Sequence, residues 1–291
     1  MPLIHHRTFR IRSYECDAHG HLNNANYLRL MQETAFDASA AAGYDLARYQ
    51  SMGRLWLIRE SSLEFLKPLY DNERVEISTW IGDFRRASSR RLYEFRLAAN
   101  QELSARAYSD WVFLDAASLR PASIPAHLVE DFYPEGLPSE FPPRQPFPAF
   151  PPQPASAFRM QRRAEWTDLD TQNHVNNAVY LNYVTECSMQ SLAACGWPWE
   201  RLHSLGLAVH LRRCQIQYLQ PALHGDQILL TTWMSNIRRV SANRHYLLQR
   251  QSDGAMLARV QTYSVWVSLE DNQPARIPEE LLGDCIGMIA R

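Results

Sequence analysis

The sequence lacks the features that mark secreted, membrane-bound and nucleic-acid-binding proteins. No apolar run is long enough to span a bilayer, and the first residues lack an apolar stretch of signal-peptide length. The 291 residues include 30 basic and 31 acidic side chains, so the net charge is only -1. No basic excess is available to bind phosphate backbones or an anionic membrane surface. These absences predict a cytoplasmic protein that binds neither nucleic acid nor membranes.

Cysteine is scarce and shows no pattern. The number of cysteines is odd and none has C-x-x-C spacing, which excludes a disulfide framework and a zinc knuckle. We therefore expect a protein whose thiols remain reduced. The five positions are Cys16, Cys187, Cys195, Cys214 and Cys285.

What the sequence does contain is one phrase that occurs twice. The first copy, Asp17–Leu28, reads DAHGHLNNANYL, and the second, Asp170–Leu181, reads DTQNHVNNAVYL. Adding 153 to a residue number in the first copy gives its counterpart in the second. This offset holds without a gap from Asp17 to Tyr93, where 24 of 77 positions are identical. The chain is therefore predicted to be two copies of one domain, each large enough for its own core.

A proline-rich segment separates the two copies. Residues 117–157 contain 11 of the 17 prolines. Proline lacks the backbone N–H that helices and sheets need, so this segment is predicted to be an extended connection. Its interleaved phenylalanines indicate that it lies against the protein. The predicted domains are residues 1–116 and 158–291, joined by a linker over residues 117–157.

Each copy is predicted to fold as a strand, a long helix and four more strands. In the first copy the spacing predicts a strand over Phe9–Tyr14 and a helix from Asn24 to about Ala42. Asn23 or Asn24 would cap the helix at its start, and Gly43 would end it in a left-handed conformation. One helix on an antiparallel sheet of about five strands gives an α+β fold. The other predicted strands are Leu55–Leu66, Arg74–Phe84, Ser89–Ala99, Leu103–Leu114, Leu207–Leu219, Gln227–Ile237, Ala242–Gln251 and Ala255–Leu269.

The repeated phrase, followed by a long helix, resembles that of the hotdog-fold thioesterases. The similarity is to the 4-hydroxybenzoyl-CoA thioesterase-like branch and to the acyl-ACP thioesterases, and the second copy, from Asp168 to Asn177, is especially similar to the latter. The resemblance implies two tandem hotdog domains paired side by side as an intrachain pseudo-dimer, with active sites between them. It also implies an acyl thioesterase that hydrolyses acyl-ACP or acyl-CoA to free acid and thiol, without a metal or redox cofactor.

The resemblance assigns the catalytic carboxylate to Asp17 and Asp170. The first turn of a helix offers unpaired N–H groups and a positive dipole end, which can hold a developing oxyanion. A carboxylate just upstream could activate water as a general base, or attack the thioester itself and form a mixed anhydride. The alternative is that each Asp only caps the helix or orders the turn. Asn23 and Asn176 can supply the caps, which leaves the Asp side chains available.

Histidine follows the Asp by four residues in both copies, at His21 and His174. Each could orient the carboxylate or contact the thioester, and each could equally be a hydrogen-bonded structural residue. The plant enzymes have an Asn between the Asp and the His, and that Asn is also catalytic. Here the middle position holds His19 and Gln172. The Gln172 amide could take the role of that Asn, whereas His19 could not do so equivalently, so the middle role stays open.

Three further groups are candidates for substrate binding. Asn24 and Asn177 open the helices, and Tyr27 and Tyr180, with Met31 and Val184, would line an acyl-chain seam between helix and sheet. Two basic hairpins could contact the phosphates of CoA or the acidic surface of acyl-carrier protein. A solvated hairpin tip is the alternative. The hairpin arginines are Arg85, Arg86, Arg238 and Arg239, accompanied by Arg90, Arg91 and Arg244.

Other chemistry is less consistent with the repeat. Asp17, His19 and His21 alternate as metal ligands could, but Gln172 replaces His19 in the second copy, so no metal site is expected. A Cys nucleophile would have to be Cys16 or Cys214, and neither is shared by both copies. The helical Glu33 and Glu186 are expected to form an inter-copy hydrogen bond or salt bridge.

Two other functions remain open from the sequence. A hotdog hydratase or dehydratase usually has its His five residues after the Asp with a Pro between them, a pattern absent here. A non-catalytic protein that binds acyl thioesters could keep both Asp and His. Two chains could also associate into a homodimer.

Overall fold

The computed structural model describes residues 1–290, and the chain divides into two compact units between Pro146 and Phe147. Each unit contains one long helix and five antiparallel strands, which confirms the predicted α+β class and the repeated domain. No helix within residues 1–290 combines the length and apolarity needed to cross a bilayer.

The first unit begins with an edge strand and ends with a short helix. Its strands lie in the order β1-β3-β4-β5-β2, and the pairs are antiparallel. The elements are β1 His5–Arg10, α1 Asn24–Ala41, α2 Leu46–Ser51, β2 Arg54–Phe65, β3 Arg74–Phe84, β4 Ser88–Leu97, β5 Leu103–Asp115 and α3 Ala126–Phe132.

The second unit repeats this order of elements. Its strands lie in the order β7-β10-β9-β8-β6, again antiparallel. The elements are β6 Phe158–Arg163, α4 Val179–Ala194, α5 Trp199–Ser204, β7 Leu207–Tyr218, β8 Gln227–Ser235, β9 Ser241–Arg250, β10 Met256–Ser268 and α6 Glu279–Asp284.

The first strand is the one strand predicted in the wrong place. It spans His5–Arg10 rather than Phe9–Tyr14, and its residues alternate between intermediate and exposed. A polar edge strand of this kind has no apolar alternation to reveal it. The predicted end of the strand instead forms a single 3-10 turn over Ser13–Glu15, in which the Arg12 N–H donates to the Glu15 carboxylate at 2.9 Å.

Asn23 caps α1, as predicted, whereas α4 begins only at Val179 and its N-cap position is Ala178. Asn176 orders the turn just before α4. The Asn23 Oδ1 accepts the Ala25 N–H at 2.9 Å, and the Asn176 Oδ1 accepts the Ala178 N–H at 2.9 Å. The helices end where glycine adopts a left-handed backbone conformation, with φ of 88° at Gly43 and 82° at its counterpart, Gly196. These caps fix where each phrase joins its helix.

One face of α1 packs on the sheet. The Tyr27 ring meets Phe65 edge-on at 5.0 Å and lies 5.4 Å from Phe95 on β4. Further along the helix the buried residues are smaller, including Ala35 and Ala38. We call the layer between α1 and this face of the sheet the helix–sheet seam. The predicted seam residues Tyr27 and Met31 therefore both lie among the buried residues of α1.

The segment predicted as linker contains a helix of the first unit. In α3, Leu128 and Phe132 are buried in a cluster that includes Tyr44 and Phe84. The matching α6 buries Leu281 in the second unit. Each repeat therefore continues past residue 116 into its short helix, and the division at Pro146 falls later than the predicted start of the linker.

Residues 147–152, which we call the strap, lie against the second unit. The Phe150 ring is 4.8 Å from His245 and 5.8 Å from Trp233, and the Arg259 guanidinium lies 4.9 Å from the centre of the Phe147 ring. The prediction that phenylalanines hold the proline-rich segment against the protein is confirmed here.

Candidate active site

In the first unit the repeated phrase folds as a tight turn before α1. The Asp17 Oδ1 accepts the backbone N–H of His19 at 2.9 Å and that of His21 at 3.3 Å. The Asp17 N–H donates to the carbonyl of His21 at 2.7 Å, which closes the turn. Gly20 supplies the left-handed residue of the turn, with φ of 76°. The turn therefore holds the Asp17 carboxyl just ahead of the helix.

The second unit builds the same turn from different residues. The Asp170 Oδ1 accepts the Gln172 N–H at 2.9 Å, and the Asp170 N–H donates to the His174 carbonyl at 3.0 Å. Asn173 occupies the left-handed position, with φ of 61°. Glycine and asparagine both tolerate this conformation, which explains how the turn survives their exchange.

Each Asp uses one carboxylate oxygen to order the turn. Within residues 1–290, Oδ2 of Asp17 and Oδ2 of Asp170 take part in no hydrogen bond. The structural role and a chemical role are therefore compatible, because Oδ1 fixes the side chain while Oδ2 can accept a proton from water or attack a carbonyl carbon.

Unpaired backbone donors lie at the start of both helices. Within the described chain, the N–H groups of Asn24 and Asn177 donate to no acceptor, since the Asn caps use the next amides instead. Both residues are partly accessible. A helix N-terminus with an unpaired amide can stabilise an oxyanion, so these two amides fit that role.

The histidines have different surroundings in the two units. Burial lowers the pKa of His21, and its ring meets Tyr70 edge-on at 5.1 Å. The His174 Nδ1 lies 3.6 Å from the Asp170 Oδ1, and both side chains are about four-fifths buried. The ring of His174 is therefore placed to interact with the carboxylate that precedes it.

The two middle positions differ in exposure. His19 is partly buried, with its ring 6.2 Å from that of His21, whereas Gln172 is exposed. The two equivalent positions therefore differ in solvent exposure as well as in residue type.

The predicted seam tyrosines lie in the core of their units. Tyr27 and Tyr180 are each only 2% exposed. The Tyr180 hydroxyl accepts the Ala222 N–H at 3.1 Å, and burial raises the pKa of Tyr180 to about 12. Met31 and Val184 are also buried. An acyl chain in the seam would therefore contact the apolar parts of these side chains.

The four arginines at the hairpin tips are exposed and occupy equivalent positions. The Arg85 N–H donates to the Ser88 carbonyl at 2.7 Å, and the Arg238 N–H donates to the Ser241 carbonyl at 2.8 Å. Because the loops match, each unit presents one basic pair to solvent. The exposed residues are Arg85, Arg86, Arg238 and Arg239.

The arginines that follow in the next strand do not join this surface. Arg90 forms two hydrogen bonds of 2.7 Å with Asp110 and lies 3.8 Å from the centre of the Tyr108 ring. Arg91 and Arg244 are each only 6% exposed. Including these three in the basic hairpins was wrong, because Arg91 and Arg244 lie on the buried face of the sheet and Arg90 is held by Asp110.

The remaining candidates have structural surroundings. Cys214 is fully buried, which raises its pKa to about 12, and burial also raises the pKa of Cys16, so both thiols stay protonated near neutral pH. Within residues 1–290, no group of three His, Cys, Asp or Glu side chains is arranged to hold a metal.

The two helical glutamates interact within their own units. Glu33 lies 3.6 Å from Arg7 Nη1, and Glu186 accepts a hydrogen bond from Gln190 at 2.7 Å. The predicted inter-copy bond was therefore wrong for both, since one edge-strand arginine and one helical amide are the nearer partners.

Sequence reasoning missed the acid that anchors the second phrase. The buried Asp168 accepts the Glu165 N–H at 2.8 Å and the Tyr183 hydroxyl at 2.5 Å. Its counterpart is Glu15, which accepts a backbone N–H from the residue three positions earlier in the same way. An acid at both equivalent positions was the signal that could have identified it.

The chain matches a family model over both repeats. The model described as the thioesterase-like superfamily matches residues 11–132 and again residues 164–284. The two matches include both repeated phrases and the short helix α3.

The chain is also similar to individual proteins. A chloroplastic acyl-[acyl-carrier-protein] hydrolase of Cuphea viscosissima is 24% identical over 193 residues, which cover 63% of this chain and 47% of the plant protein. The chain therefore spans about half the length of the curated relatives it matches.

Solved structures share the fold across both units. A protein provisionally assigned as an oleoyl thioesterase from Lactobacillus plantarum has a TM-score of 0.77 at 19% identity, covering 96% of this chain and 98% of that one. An acyl-ACP thioesterase from Bacteroides thetaiotaomicron has a TM-score of 0.70 at 17% identity, covering 90% and 97%.

Proposed function

The chain belongs to the thioesterase-like superfamily, and from this premise we propose that it hydrolyses acyl-ACP or acyl-CoA to a free carboxylic acid and a thiol. The observation that carries the proposal is that each phrase contains an Asp with one carboxylate oxygen free of hydrogen bonds, followed by an unpaired backbone amide, at Asn24 or Asn177, at or just before the helix. The names of the plant and bacterial relatives favour acyl-ACP as the thioester.

The Asp supplies the base or the nucleophile. Oδ1 is held by the turn, so Oδ2 of Asp17 or Asp170 takes a proton from water or attacks the thioester carbon. The oxygen of the thioester carbonyl becomes negative as either attack proceeds. The N–H groups of Asn24 and Asn177, at the positive ends of the helices, stabilise that charge.

If only one unit is active, the second is the stronger candidate. Its phrase is the more similar to that of the acyl-ACP thioesterases, and His174 stands beside Asp170. A His close to the carboxylate can orient it or relay a proton to the departing thiolate.

The exposed arginine pairs suit an anionic carrier. Guanidinium groups bind phosphates and carboxylates, so Arg85, Arg86, Arg238 and Arg239 can contact the CoA phosphates or an acidic carrier protein. We propose that the protein works in the cytoplasm without a cofactor, with the thioester as its partner.

The first test is thiol release from a panel of acyl-ACPs and acyl-CoAs by the wild type, Asp17→Asn, Asp170→Asn and the double variant. We expect the double variant to lower kcat by roughly 100-fold or more, as general-base catalysis predicts, and each single variant to remove the share of turnover that its own unit contributes. Asp271→Asn is the matched control, because Asp271 orders a remote turn by accepting the Gln273 N–H at 3.0 Å.

Two outcomes would contradict the proposal. Full activity in the double variant would contradict a mechanism that depends on Asp17 or Asp170. Tight binding of acyl thioesters without turnover by the wild type would instead identify a non-catalytic binding protein.

Isotope labelling separates the two roles of the Asp. In a single turnover in H₂¹⁸O, a general base directs ¹⁸O from water into the product acid. A nucleophilic Asp whose mixed anhydride is opened by water at the aspartyl carbon gives its own oxygen to the first product, so an unlabelled first product identifies the nucleophile. Mass spectrometry of the product acid distinguishes these outcomes.

A further inference from the structure

Both units bury an arginine at the same position of the sheet. Arg91 on β4 and Arg244 on β9 are related by the offset of 153, and each is 6% exposed. Their strands alternate so that each arginine faces the same way as a buried tyrosine two residues later, Tyr93 or Tyr246. Both guanidinium groups therefore face the long helix rather than solvent.

The second unit provides a partner for its arginine. The Arg244 Nη1 donates to the hydroxyl of Ser191, a fully buried residue of α4. The equivalent position of α1 is Ala38, which has no polar side-chain atom. The first unit therefore has the arginine but not the serine hydroxyl that would accept its hydrogen bond.

Arg91 also lacks a compensating negative charge. Within the described chain its guanidinium forms no hydrogen bond and no ion pair. Its neighbours are the Phe132 ring at 5.6 Å, the tyrosines Tyr49 and Tyr93, and the imidazole of His5. Burial lowers its pKa, but an arginine stays protonated in proteins. A buried, unpaired cation is costly, so an anion that enters the seam would be bound there.

The position of Arg91 relates it to the phrase. On the helix-facing side of β4 the order is Phe95, Tyr93 and Arg91, and Phe95 contacts Tyr27 in the first turn of α1. At about 3.3 Å per residue, Arg91 lies about 13 Å along the strand from Phe95. A chain that enters the seam beside the phrase would reach Arg91 with its distal end.

We propose that Arg91 is the anion subsite of the acyl pocket, and that the substrate class is therefore acyl thioesters whose distal end carries a carboxylate. This inference rests on the proposed thioesterase function and on turnover at the Asp17 phrase of the first unit. The carboxylate pairs with the guanidinium through charge-assisted hydrogen bonds. A methyl-ended chain of equal length would leave Arg91 unpaired, so the site discriminates against it.

The kinetic test compares matched pairs of acyl-CoAs, methyl-ended and carboxylate-ended, from eight to sixteen carbons. For at least one length, we expect the wild type to prefer the carboxylate-ended chain in kcat/KM by roughly 10- to 100-fold, the range for hydrogen bonds to charged groups. Arg91→Met should abolish or reverse this preference while hydrolysis of methyl-ended chains continues.

A second variant keeps the inference testable if Arg91→Met does not fold. Ala38→Ser installs the hydroxyl that the second unit has at this position and should occupy Arg91, which lowers the preference without removing the charge. Arg244→Met removes a buried arginine from the other unit and should leave the preference unchanged. Equal preference in wild type, Arg91→Met and Ala38→Ser would overturn the inference.

A binding measurement separates this inference from the proposed function. Calorimetric titration with free dicarboxylic acids and with monocarboxylic acids of equal length needs no turnover. Arg91-dependent binding in a protein that hydrolyses no thioester would refute the thioesterase and retain the subsite. Hydrolysis without any preference or Arg91-dependent binding would refute the subsite and retain the thioesterase.

Discussion

The Tyr183 hydroxyl distinguishes the second phrase from the first. It donates to the Asp168 Oδ2 at 2.5 Å, and the Asp168 carbonyl accepts the Asn176 N–H at 2.9 Å. The first unit has Leu30 where the second has Tyr183. Only the second phrase is therefore tied to its helix by a buried tyrosine–carboxylate bond.

Loss of this bond should destabilise the protein. We expect Tyr183→Phe to lower the free energy of unfolding by about 1–3 kcal/mol, because the buried Asp168 carboxylate loses a donor and cannot turn to water. Tyr14→Phe is the control, since Tyr14 is 75% exposed and should change stability by less than about 0.5 kcal/mol. Equal effects of the two substitutions in urea unfolding would contradict the role given to Asp168.

Individual site residues differ in how far the sequence predicts them. The repeat predicted the Asn23 cap of α1, because a cap depends on local spacing, but Asn176 lies before the N-cap position of α4. It assigned Arg91 to a surface hairpin, because adjacent arginines look alike until the strand register assigns them to faces. The Tyr183 bond was also not predicted, since it depends on a side-chain rotamer across a helix turn.

At the scale of elements, Gly43 shows why α1 ends where it does. Its φ is 88°, and a Cβ added there would meet no heavy atom within 4 Å. Any cost of adding a side chain must therefore come from the backbone conformation and not from crowding.

The left-handed conformation of Gly43 gives a prediction about stability with a matched control. We expect Gly43→Ala to lower the free energy of unfolding by about 1–2 kcal/mol, the cost of a left-handed non-glycine residue. Gly283 in α6 also has open space but no left-handed φ, so Gly283→Ala should raise stability by about 0.4–1 kcal/mol. Urea unfolding of both variants should show opposite signs, and a shared sign would contradict this account.

Long elements were predictable and short ones were not. Eight of the ten strands were predicted with bounds within two residues, because alternation extends over nine or more residues in each. The helices α2, α3, α5 and α6 have only six or seven residues, too few for a helical period to be recognised. The edge strand β6 was not assigned either, since its six residues are mostly polar.

At the scale of the whole molecule, the sequence showed that the domain is duplicated. It did not show that the strap packs against the sheet of the second unit. Proline content predicted an extended segment between the repeats. Nothing in the spacing of Phe147 and Phe150 indicates that they meet Arg259, Trp233 and His245, because those contacts join distant parts of the second unit.

The strap covers a buried histidine. His245 is 2% exposed, with its Nε2 at 2.7 Å from the Ser235 hydroxyl and its Nδ1 without a partner within residues 1–290. Burial lowers the pKa of His245 from 6.5 to about 4.

This pKa predicts how stability depends on pH. Above pH 6.5 His245 is neutral in the folded and unfolded chains and makes no difference. Below pH 6.5 His245 binds a proton in the unfolded chain but stays neutral in the folded chain. The free energy of unfolding therefore falls as the pH approaches 4, and this residue contributes up to about 3 kcal/mol of that loss. His245→Gln removes the proton site and should weaken the loss between pH 7 and pH 5 in urea unfolding. His127→Gln, at an exposed position of α3, should retain the wild-type slope, and an unchanged slope in His245→Gln would show that the strap does not keep this imidazole neutral.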